Sequence, residues 1–166
     1  MKQLLVRSEY CVGCKSCELA CAVAHSQTKE LFGAIFEPER PQKRVFVETD
    51  GEVIMPLQCR QCSDTPCVQA CMAGAMRVDP ATGLVQVRTD KCVGCWMCVM
   101  VCPFGAITQG PGRAVVKCDR CRDLAYEPAC VSACPTKALQ FVEVNNFASG
   151  TRKSWINHLK EVGIHA

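Results

Sequence analysis

The chain has 166 residues, 16 of them cysteine, and a formal net charge of +3. Residues 1–10 contain no apolar segment with a small-residue cleavage site, and no stretch approaches the ~20 apolar residues of a membrane span, so neither a signal peptide nor a membrane-spanning helix is expected. In a reducing cytoplasm, the expected location of this chain, closely spaced cysteines indicate metal binding or catalysis and argue against a disulfide scaffold.

Four groups of four cysteines divide the sequence, and we number them in chain order. Group one is Cys11, Cys14, Cys17 and Cys21; group two is Cys59, Cys62, Cys67 and Cys71; group three is Cys92, Cys95, Cys98 and Cys102; group four is Cys118, Cys121, Cys130 and Cys134. Groups one and three share the spacing C-x2-C-x2-C-x3-C, whereas groups two and four have longer gaps before the same C-x3-C ending. Similar segments follow three of the groups, at Gly74–Met76, Gly105–Ile107 and Lys137–Leu139, so the chain contains an internal repeat.

This spacing favours iron–sulfur clusters over zinc. A [4Fe–4S] cluster needs four thiolates, and a short loop with cysteines at i, i+3 and i+6 supplies only three, so the fourth cysteine is expected to ligate a neighbouring cluster. A zinc site would use two well-separated C-x2-C pairs and leave the third cysteine without a role. Because sixteen cysteines fill the ligand positions of four clusters, His25 is not expected to be a ligand.

Two segments exceed what the clusters require. Residues 22–54 form an insertion that contains the apolar segment Leu31–Phe36, and this insertion is expected to shield a cluster from water, to form a docking surface, or to do both. The C-terminal tail, residues 145–166, contains a predicted helix over Lys153–Glu161 with an apolar side. This tail is expected to pack on its own domain or to lie on a partner subunit or a membrane surface.

Short strands and helical turns are predicted around the cysteine groups. Strands at 44–48 and 53–55 flank an Asp-Gly turn at 50–51, and a second hairpin has its turn at 80–83 and a strand at 84–88. Further strand-like segments are residues 115–116 and 139–144. Each C-x3-C segment fits a single helical turn. The predicted fold class is therefore α+β, ferredoxin-like and low in regular secondary structure.

The cysteine spacings and the repeated segments resemble the four-cluster ferredoxin-type electron-transfer subunits of modular oxidoreductases over residues 2–144. The resemblance implies an outer pseudo-twofold ferredoxin-like unit, residues 1–21 plus 116–144, and an inner unit, residues 55–110. It also implies four ligand sets that exchange their fourth cysteines. Cluster 1 takes Cys11, Cys14, Cys17 and Cys134; cluster 2 takes Cys59, Cys62, Cys67 and Cys102; cluster 3 takes Cys92, Cys95, Cys98 and Cys71; cluster 4 takes Cys118, Cys121, Cys130 and Cys21.

Two details refine the resemblance. Some members of the family replace the second cysteine of group three by tryptophan and hold a three-iron cluster; here Cys95 is present and Trp96 follows it, so four [4Fe–4S] clusters are expected. Met72 follows group two where many members have proline, and Ala24-His25-Ser26 follows group one. Both features are similar to the CooF-like iron–sulfur proteins of carbon monoxide dehydrogenase.

The resemblance implies an electron-transfer subunit with no substrate site of its own. The expected partners are a catalytic oxidoreductase subunit and a downstream acceptor such as a hydrogenase or a flavin oxidoreductase. For the catalytic subunit, carbon monoxide dehydrogenase is expected first and a formate dehydrogenase or hydrogenase second. The alternative of another class is a redox sensor or a maturation accessory protein. Nucleotide motifs and a basic, aromatic stripe are missing from the sequence, so no nucleic-acid partner is expected, and membrane contact is expected only peripherally, on the inner face through partners.

Bound clusters would also change the charge of the protein. Each oxidised cluster with its four thiolates is an anion, so four of them turn the formal charge of +3 negative. Basic residues beside the cysteines are expected to offset this charge locally, although each one taken singly is expected to be a solvated surface residue. They are Lys15, Arg60, Lys91, Lys117, Arg120, Arg122 and Lys137.

Overall fold

The structure is a computed structural model that describes residues 2–124 and 127–162. Within these residues, eight short strands form four two-stranded antiparallel sheets. The strands are β1 Lys2–Val6, β2 Val45–Thr49, β3 Ile54–Gln58, β4 Met76–Val78, β5 Val85–Val87, β6 Ile107–Gln109, β7 Val115–Lys117 and β8 Leu139–Glu143. The α-helices are α1 Ser16–Ala24, α2 Leu31–Phe36, α3 Pro66–Gln69, α4 Met97–Met100, α5 Ala129–Ser132 and α6 Val144–Glu161, and single 3-10 turns occupy Ser8–Tyr10 and Thr89–Lys91. The structure is therefore the predicted mixture of short helices and strands.

The predicted hairpin of the insertion is confirmed as β2 and β3, with a longer second strand that runs to Gln58. At its turn, the Asp50 carboxylate accepts hydrogen bonds from the N–H groups of Glu52, at 3.0 Å, and Val53, at 2.8 Å. Gly51 has φ +100°, in the left-handed region that glycine adopts without a steric cost. The Asp-Gly pair therefore located the turn correctly.

The remaining sheets join near and distant parts of the chain. β4 and β5 flank the turn predicted at residues 80–83. β7 pairs with β6, so this hairpin continues past residue 110, where the predicted inner unit ends, to Lys117. β1 pairs with β8 in a register that sets Lys2 opposite Glu143 and Val6 opposite Leu139, which ties the N-terminus to the end of group four.

The internal repeat has a common backbone conformation. Three residues after the last cysteine of groups two, three and four, a left-handed residue donates its N–H to that cysteine's carbonyl: Gly74, Gly105 and Lys137, with φ of +62°, +57° and +55°. The alanine that follows is buried in each copy, and the next residue begins β4, β6 or β8. Each repeat therefore turns sharply after its cysteines and starts a strand directly beside them.

The buried apolar residues form two separate cores, and cysteines are part of both. The first core contains Leu4, Cys17, Cys21, Val45, Val47, Cys130 and Leu139. The second contains Met76, Val85, Cys98, Ile107 and Val115. Half-buried cysteines of groups one and four pack against the first core, and half-buried cysteines of groups two and three pack against the second. The chain thus divides its cysteines between two small cores.

Two helices leave apolar side chains exposed. In α2 only Ala34 is buried, while Phe32 and Phe36 are 77% and 84% exposed, so the part of the insertion that covers cysteines is β2, through Val45 and Val47, and not this helix. The tail helix α6 begins at Val144, well before the predicted start at Lys153, and Trp155 is exposed on it. The expected packing of the tail on its own domain is thus missing along much of α6. Among the described residues, none of the helices combines the length and apolar character needed to cross a bilayer.

Candidate iron–sulfur sites

Helix α1 positions two cysteines of group one. Cys17 and Cys21 are one helical turn apart on the same face of α1, and both are buried in the first core. Lys15, just before the helix, has a left-handed backbone, which turns the chain between Cys14 and Cys17. In the other groups, Cys67, Cys98 and Cys130 lie on the single-turn helices α3, α4 and α5. The prediction of helical turns is confirmed for these three groups, and α1 is longer than expected.

One cavity has four cysteines in its wall that are far apart in sequence. It is lined by Cys11, Cys14 and Cys17 of group one together with Cys134 of group four. The other lining residues are mostly apolar: Val12, Lys15, Val47, Pro56, Thr136, Ala138 and Leu139. The cysteines that the resemblance assigns to cluster 1 therefore surround one space.

A second cavity has the same construction in the other core. Cys59, Cys62 and Cys67 of group two line it together with Cys102 of group three. The other lining residues are Arg60, Thr65, Pro66, Val85, Pro103, Phe104 and Ile107. These four cysteines match the set that the resemblance assigns to cluster 2.

Within each of the remaining two sets, the cysteine sulfurs are close enough to affect one another's ionisation. Burial and the charges of Cys71 and Cys92 raise the pKa of Cys98. Burial, followed by the charges of Cys118 and Cys121, raises the pKa of Cys21 to about 12. Cys130 lies close to the same sulfurs, and its pKa is raised mainly by burial and further by their charges. In each set, a cysteine from one group thus lies among cysteines of the other group.

Burial also determines which thiols resist ionisation. Desolvation raises the pKa of Cys17 and of Cys118 to about 11, whereas the exposed Cys14 has a lowered pKa because the Ser16 side chain hydrogen-bonds to it. A thiolate is the metal ligand, so binding must displace the protons that burial favours on the deep cysteines. Loading this chain with metal should therefore release protons.

Backbone N–H groups donate hydrogen bonds to three of the cysteine sulfurs. Arg44 donates its N–H to Cys21 Sγ at 3.2 Å, and Met76 donates to Cys71 Sγ at 3.3 Å. Arg120 donates its N–H to Cys118 Sγ at 3.4 Å. Hydrogen bonds of this kind stabilise the charged form of a ligand sulfur and tune the reduction potential of a bound cluster.

A polar network surrounds His25, near group four. His25 Nδ1 is 2.7 Å from the Cys21 carbonyl oxygen, and His25 Nε2 is 3.2 Å from Asp119 Oδ1. Asp119 also forms an ion pair with Arg44, and although burial opposes it, these partners hold the pKa of the Asp119 carboxyl well below its usual range. Ligand-type atoms of His25, Asp119 and Cys121 lie within 4.8 Å of one another. Because both ring nitrogens and the carboxylate already have protein partners, this trio does not form a separate metal site.

The structure corrects one expectation about the basic residues. Lys15, Lys91, Arg122 and Lys137 are exposed, as expected of solvated residues. Lys117 is only 4% exposed, and its ammonium group donates hydrogen bonds to backbone carbonyls. The sequence around Lys117 gave no local signal of this burial, because the carbonyls come partly from a distant strand.

Two cores of short helices and strands, with cysteines from different groups gathered around apolar cavities, define an iron–sulfur protein of the ferredoxin type. The family model described as the 4Fe-4S dicluster domain matches residues 51–144, and the chain belongs to this family. A protein named iron-sulfur protein from Rhodospirillum rubrum is 45% identical, and the match covers 88% of this chain and 84% of that protein. Electron transport protein HydN from Escherichia coli K12 is 35% identical, with 86% of this chain and 88% of that protein covered.

The residues present fit the cofactor that this family implies. A [4Fe–4S] cluster requires four thiolates in a dry, compact space, and both cavities offer four cysteines in largely apolar walls. The sixteen cysteines fit four [4Fe–4S] clusters.

Proposed function

We propose that this protein is an electron-transfer subunit that passes single electrons through four [4Fe–4S] clusters, between a catalytic oxidoreductase subunit and a downstream acceptor. The observation that carries the proposal is the gathering of cysteines from different groups around shared spaces in two adjoining cores. When bound, each cluster supplies a centre that gains or loses one electron with little movement of its ligands. No chemistry on a substrate is part of the proposed role.

The proposal assigns each cluster three cysteines of one group and the last cysteine of another. Cluster 1 is held by Cys11, Cys14, Cys17 and Cys134; cluster 2 by Cys59, Cys62, Cys67 and Cys102; cluster 3 by Cys92, Cys95, Cys98 and Cys71; cluster 4 by Cys118, Cys121, Cys130 and Cys21. The cavities and the electrostatic effects among the sulfurs support this assignment. The exchange of the last cysteine ties the two clusters of each pair into one unit.

The proposed arrangement has two ferredoxin-like units. The outer unit consists of residues 1–21 and 116–144 and holds clusters 1 and 4, the inner unit consists of residues 55–110 and holds clusters 2 and 3, and residues 22–54 form the insertion. The two separate cores support this division. The pairing of β7 with β6 supports extending the inner unit to Lys117, in which case the second segment of the outer unit begins at Cys118.

The same residues suggest an order for the relay. Cys118 of cluster 4 lies close enough to Cys59 of cluster 2 for the two sulfurs to repel each other, so the units adjoin at these clusters. Cys14 of cluster 1 and Cys95 of cluster 3 are the exposed cysteines. Electrons would therefore enter and leave through clusters 1 and 3, where a partner protein can approach a ligand, and clusters 4 and 2 would connect them.

Two catalytic partners are candidates. The similarity to an electron transport protein fits a formate dehydrogenase or hydrogenase partner better. Carbon monoxide dehydrogenase is supported by the similarity of Met72 and of residues 24–26 to the CooF-like proteins. In either case, we propose that the protein works in the cytoplasm and meets the inner face of the membrane only through partners.

Anaerobic mixing experiments would test the function and separate the partners. Oxidised protein is mixed with a formate dehydrogenase and formate, a hydrogenase and hydrogen, or carbon monoxide dehydrogenase and carbon monoxide, and bleaching of the cluster absorbance is followed. Reduction as fast as turnover by one of the three supports the relay and identifies the partner class. A redox sensor or maturation accessory would be reduced slowly or not at all by every enzyme, and that result would contradict the proposal.

A further inference from the structure

The ammonium group of Lys117 bonds to residues of two proposed cluster sites. Lys117 lies at the end of β7, and its Nζ donates to the Val85 carbonyl at 2.6 Å and to the Cys118 carbonyl at 2.9 Å. Val85 belongs to the second core and lines the cavity of Cys59, Cys62, Cys67 and Cys102. Cys118 is a proposed ligand of cluster 4. One buried side chain therefore bonds to the wall of one cluster site and to a ligand residue of another.

Gln61 makes a second connection between the same two residues. Its Nε2 donates to the Cys118 carbonyl at 3.0 Å, and its Oε1 accepts the Val85 N–H at 2.8 Å. Gln61 has a left-handed backbone, with φ +54°, and is situated between Cys59 and Cys62 in the sequence. The junction is therefore built from two side chains that converge on Cys118 and Val85.

The charge of Lys117 has no carboxylate partner in these bonds, because both acceptors are neutral carbonyl groups. Burying an ammonium group without a nearby anion is costly, so a buried lysine usually has an opposite charge close by. The ammonium group bonds to Val85, in the wall of one proposed cluster site, and to Cys118, a proposed ligand of another, so its charge lies close to both sites. Two anionic clusters in these positions would supply the missing negative charge.

We propose that Lys117 controls the electron step between the two units. Its buried ammonium group lies between clusters 2 and 4 and raises the reduction potentials of both. This inference rests on the proposed relay and adds the control of its central step. The positive charge stabilises the additional electron on either cluster, and the effect is strong because water is excluded. Keeping both central clusters reducible prevents them from becoming a barrier between clusters 1 and 3.

The test replaces Lys117 by an uncharged residue of similar length. In Lys117→Met, an anaerobic redox titration monitored by EPR should show two of the four clusters becoming harder to reduce by about tenfold in the reduction equilibrium, which is ~59 mV for one electron. The other two clusters should titrate as in the wild-type protein. Lys117→Arg, which keeps both the charge and hydrogen-bond donors, should restore the two potentials.

Lys91→Met is the matched control. Lys91 precedes Cys92 as Lys117 precedes Cys118, but Lys91 is exposed, so solvent screens its charge. Lys91→Met should leave all four potentials nearly unchanged. If Lys117→Met shifts no potential, or shifts no more than Lys91→Met, the inference is wrong.

A second variant covers the case in which Lys117→Met does not take up four clusters. Gln61→Glu is nearly isosteric and adds a negative charge at the same junction, so it should also lower the potentials of two clusters. Unchanged potentials in a fully loaded Gln61→Glu protein would overturn the inference. Failure of the wild-type protein to accept electrons from any partner enzyme would instead contradict the proposed function, so the two failures can be distinguished.

Discussion

The two cores are built from the same repeat but bury their cysteines to different depths. Four of the eight cysteines in groups one and four are buried, against one of the eight in groups two and three. Part of the difference comes from the insertion, because Val45 and Val47 of β2 pack in the first core beside Cys17, Cys21 and Cys130. The residues of the second core come mainly from its own two hairpins, β4–β5 and β6–β7, and none of them belongs to the insertion.

This comparison shows how one repeat can produce two different environments for a metal cluster. In the first core, the insertion excludes water from the deep cysteines and adds the Arg44 N–H as a hydrogen-bond donor to Cys21. In the second, only Cys98 is buried, while Cys95 is exposed in the same way as Cys14 of group one. We therefore expect the first core to protect its clusters better than the second, and the following predictions test that difference.

The largest expected effect is loss of both cores when iron is removed. Cysteines form part of each core, and the apolar residues between them are few, so folding should be coupled to cluster binding. Iron-free protein prepared anaerobically with a chelator should lose fixed tertiary structure, measured by near-UV circular dichroism. A cooperative thermal transition in the iron-free chain would show instead that the cores stand without clusters.

Replacing one ligand in each core should separate the two environments. Cys130→Ser leaves an oxygen in a deeply buried position, whereas Cys95→Ser changes an exposed one. We expect Cys130→Ser to lose cluster 4 and to destabilise its neighbour in the first core, while Cys95→Ser loses iron from a single cluster, at most about four of sixteen irons. Iron analysis and EPR of both variants provide the measurement, and equal losses would remove the distinction between the cores.

A smaller effect should follow from loosening the insertion. The buried Glu18 carboxylate accepts hydrogen bonds from Lys43 Nζ at 2.6 Å and from the Val47 N–H at 2.6 Å, which fixes β2 on α1. Glu18→Gln should lower the free energy of unfolding by about 1–2 kcal/mol at pH 7 and speed the loss of clusters from the first core in urea. The control is Glu9→Gln, which breaks an exposed ion pair with Arg7. It should change the free energy of unfolding by less than ~0.5 kcal/mol.

The stability difference between the wild-type protein and Glu18→Gln should depend on pH, because it comes from the ionised Glu18 carboxylate. Burial opposes ionisation, but the Lys43 and Val47 hydrogen bonds hold the pKa of the Glu18 carboxyl below its ordinary value. A depressed pKa contributes stability above the ordinary glutamate pKa of ~4.3, and this stability is lost as the pH falls through the lower folded value. The difference between wild type and Glu18→Gln in urea unfolding should therefore shrink below about pH 4, and a constant difference would show that ionised Glu18 is not responsible.

The smallest effect is expected in the tail, which belongs to neither core. Trp155 is 61% exposed on α6, so Trp155→Ala should leave the iron content unchanged and alter stability by less than ~0.5 kcal/mol. Urea unfolding followed by cluster absorbance would measure this. A decrease of more than ~2 kcal/mol in the free energy of unfolding would mean that the tail packs on one of the cores in solution.

What the sequence could predict was local. Cysteine spacing and the Asp50-Gly51 turn depend on a few neighbouring residues, so the sequence alone predicted the helical turns and the insertion hairpin. The strand β1 was missed because its partner β8 lies at the other end of the chain, and only tertiary contact reveals the pairing. The start of α6 was missed because Asn145, Asn146 and Gly150 are weak helix formers.

The same limit applies to the candidate sites. The cysteines themselves were evident from sequence, whereas the sharing of ligands between groups was implied only by the family resemblance. Lys117 was assigned to the solvated basic residues because its burial depends on the Val85 carbonyl, which the local sequence does not indicate. The polar contacts of His25 with Asp119 likewise join residues far apart in the chain.

The most direct test of the account is a count of irons and electrons in anaerobically purified protein. Four [4Fe–4S] clusters predict about sixteen irons per chain and an uptake of about four electrons during reductive titration. A count of about eight irons and two electrons per chain, in protein whose sixteen cysteines are chemically unmodified, would show that only one pair of clusters is present. That result would contradict a relay through both cores.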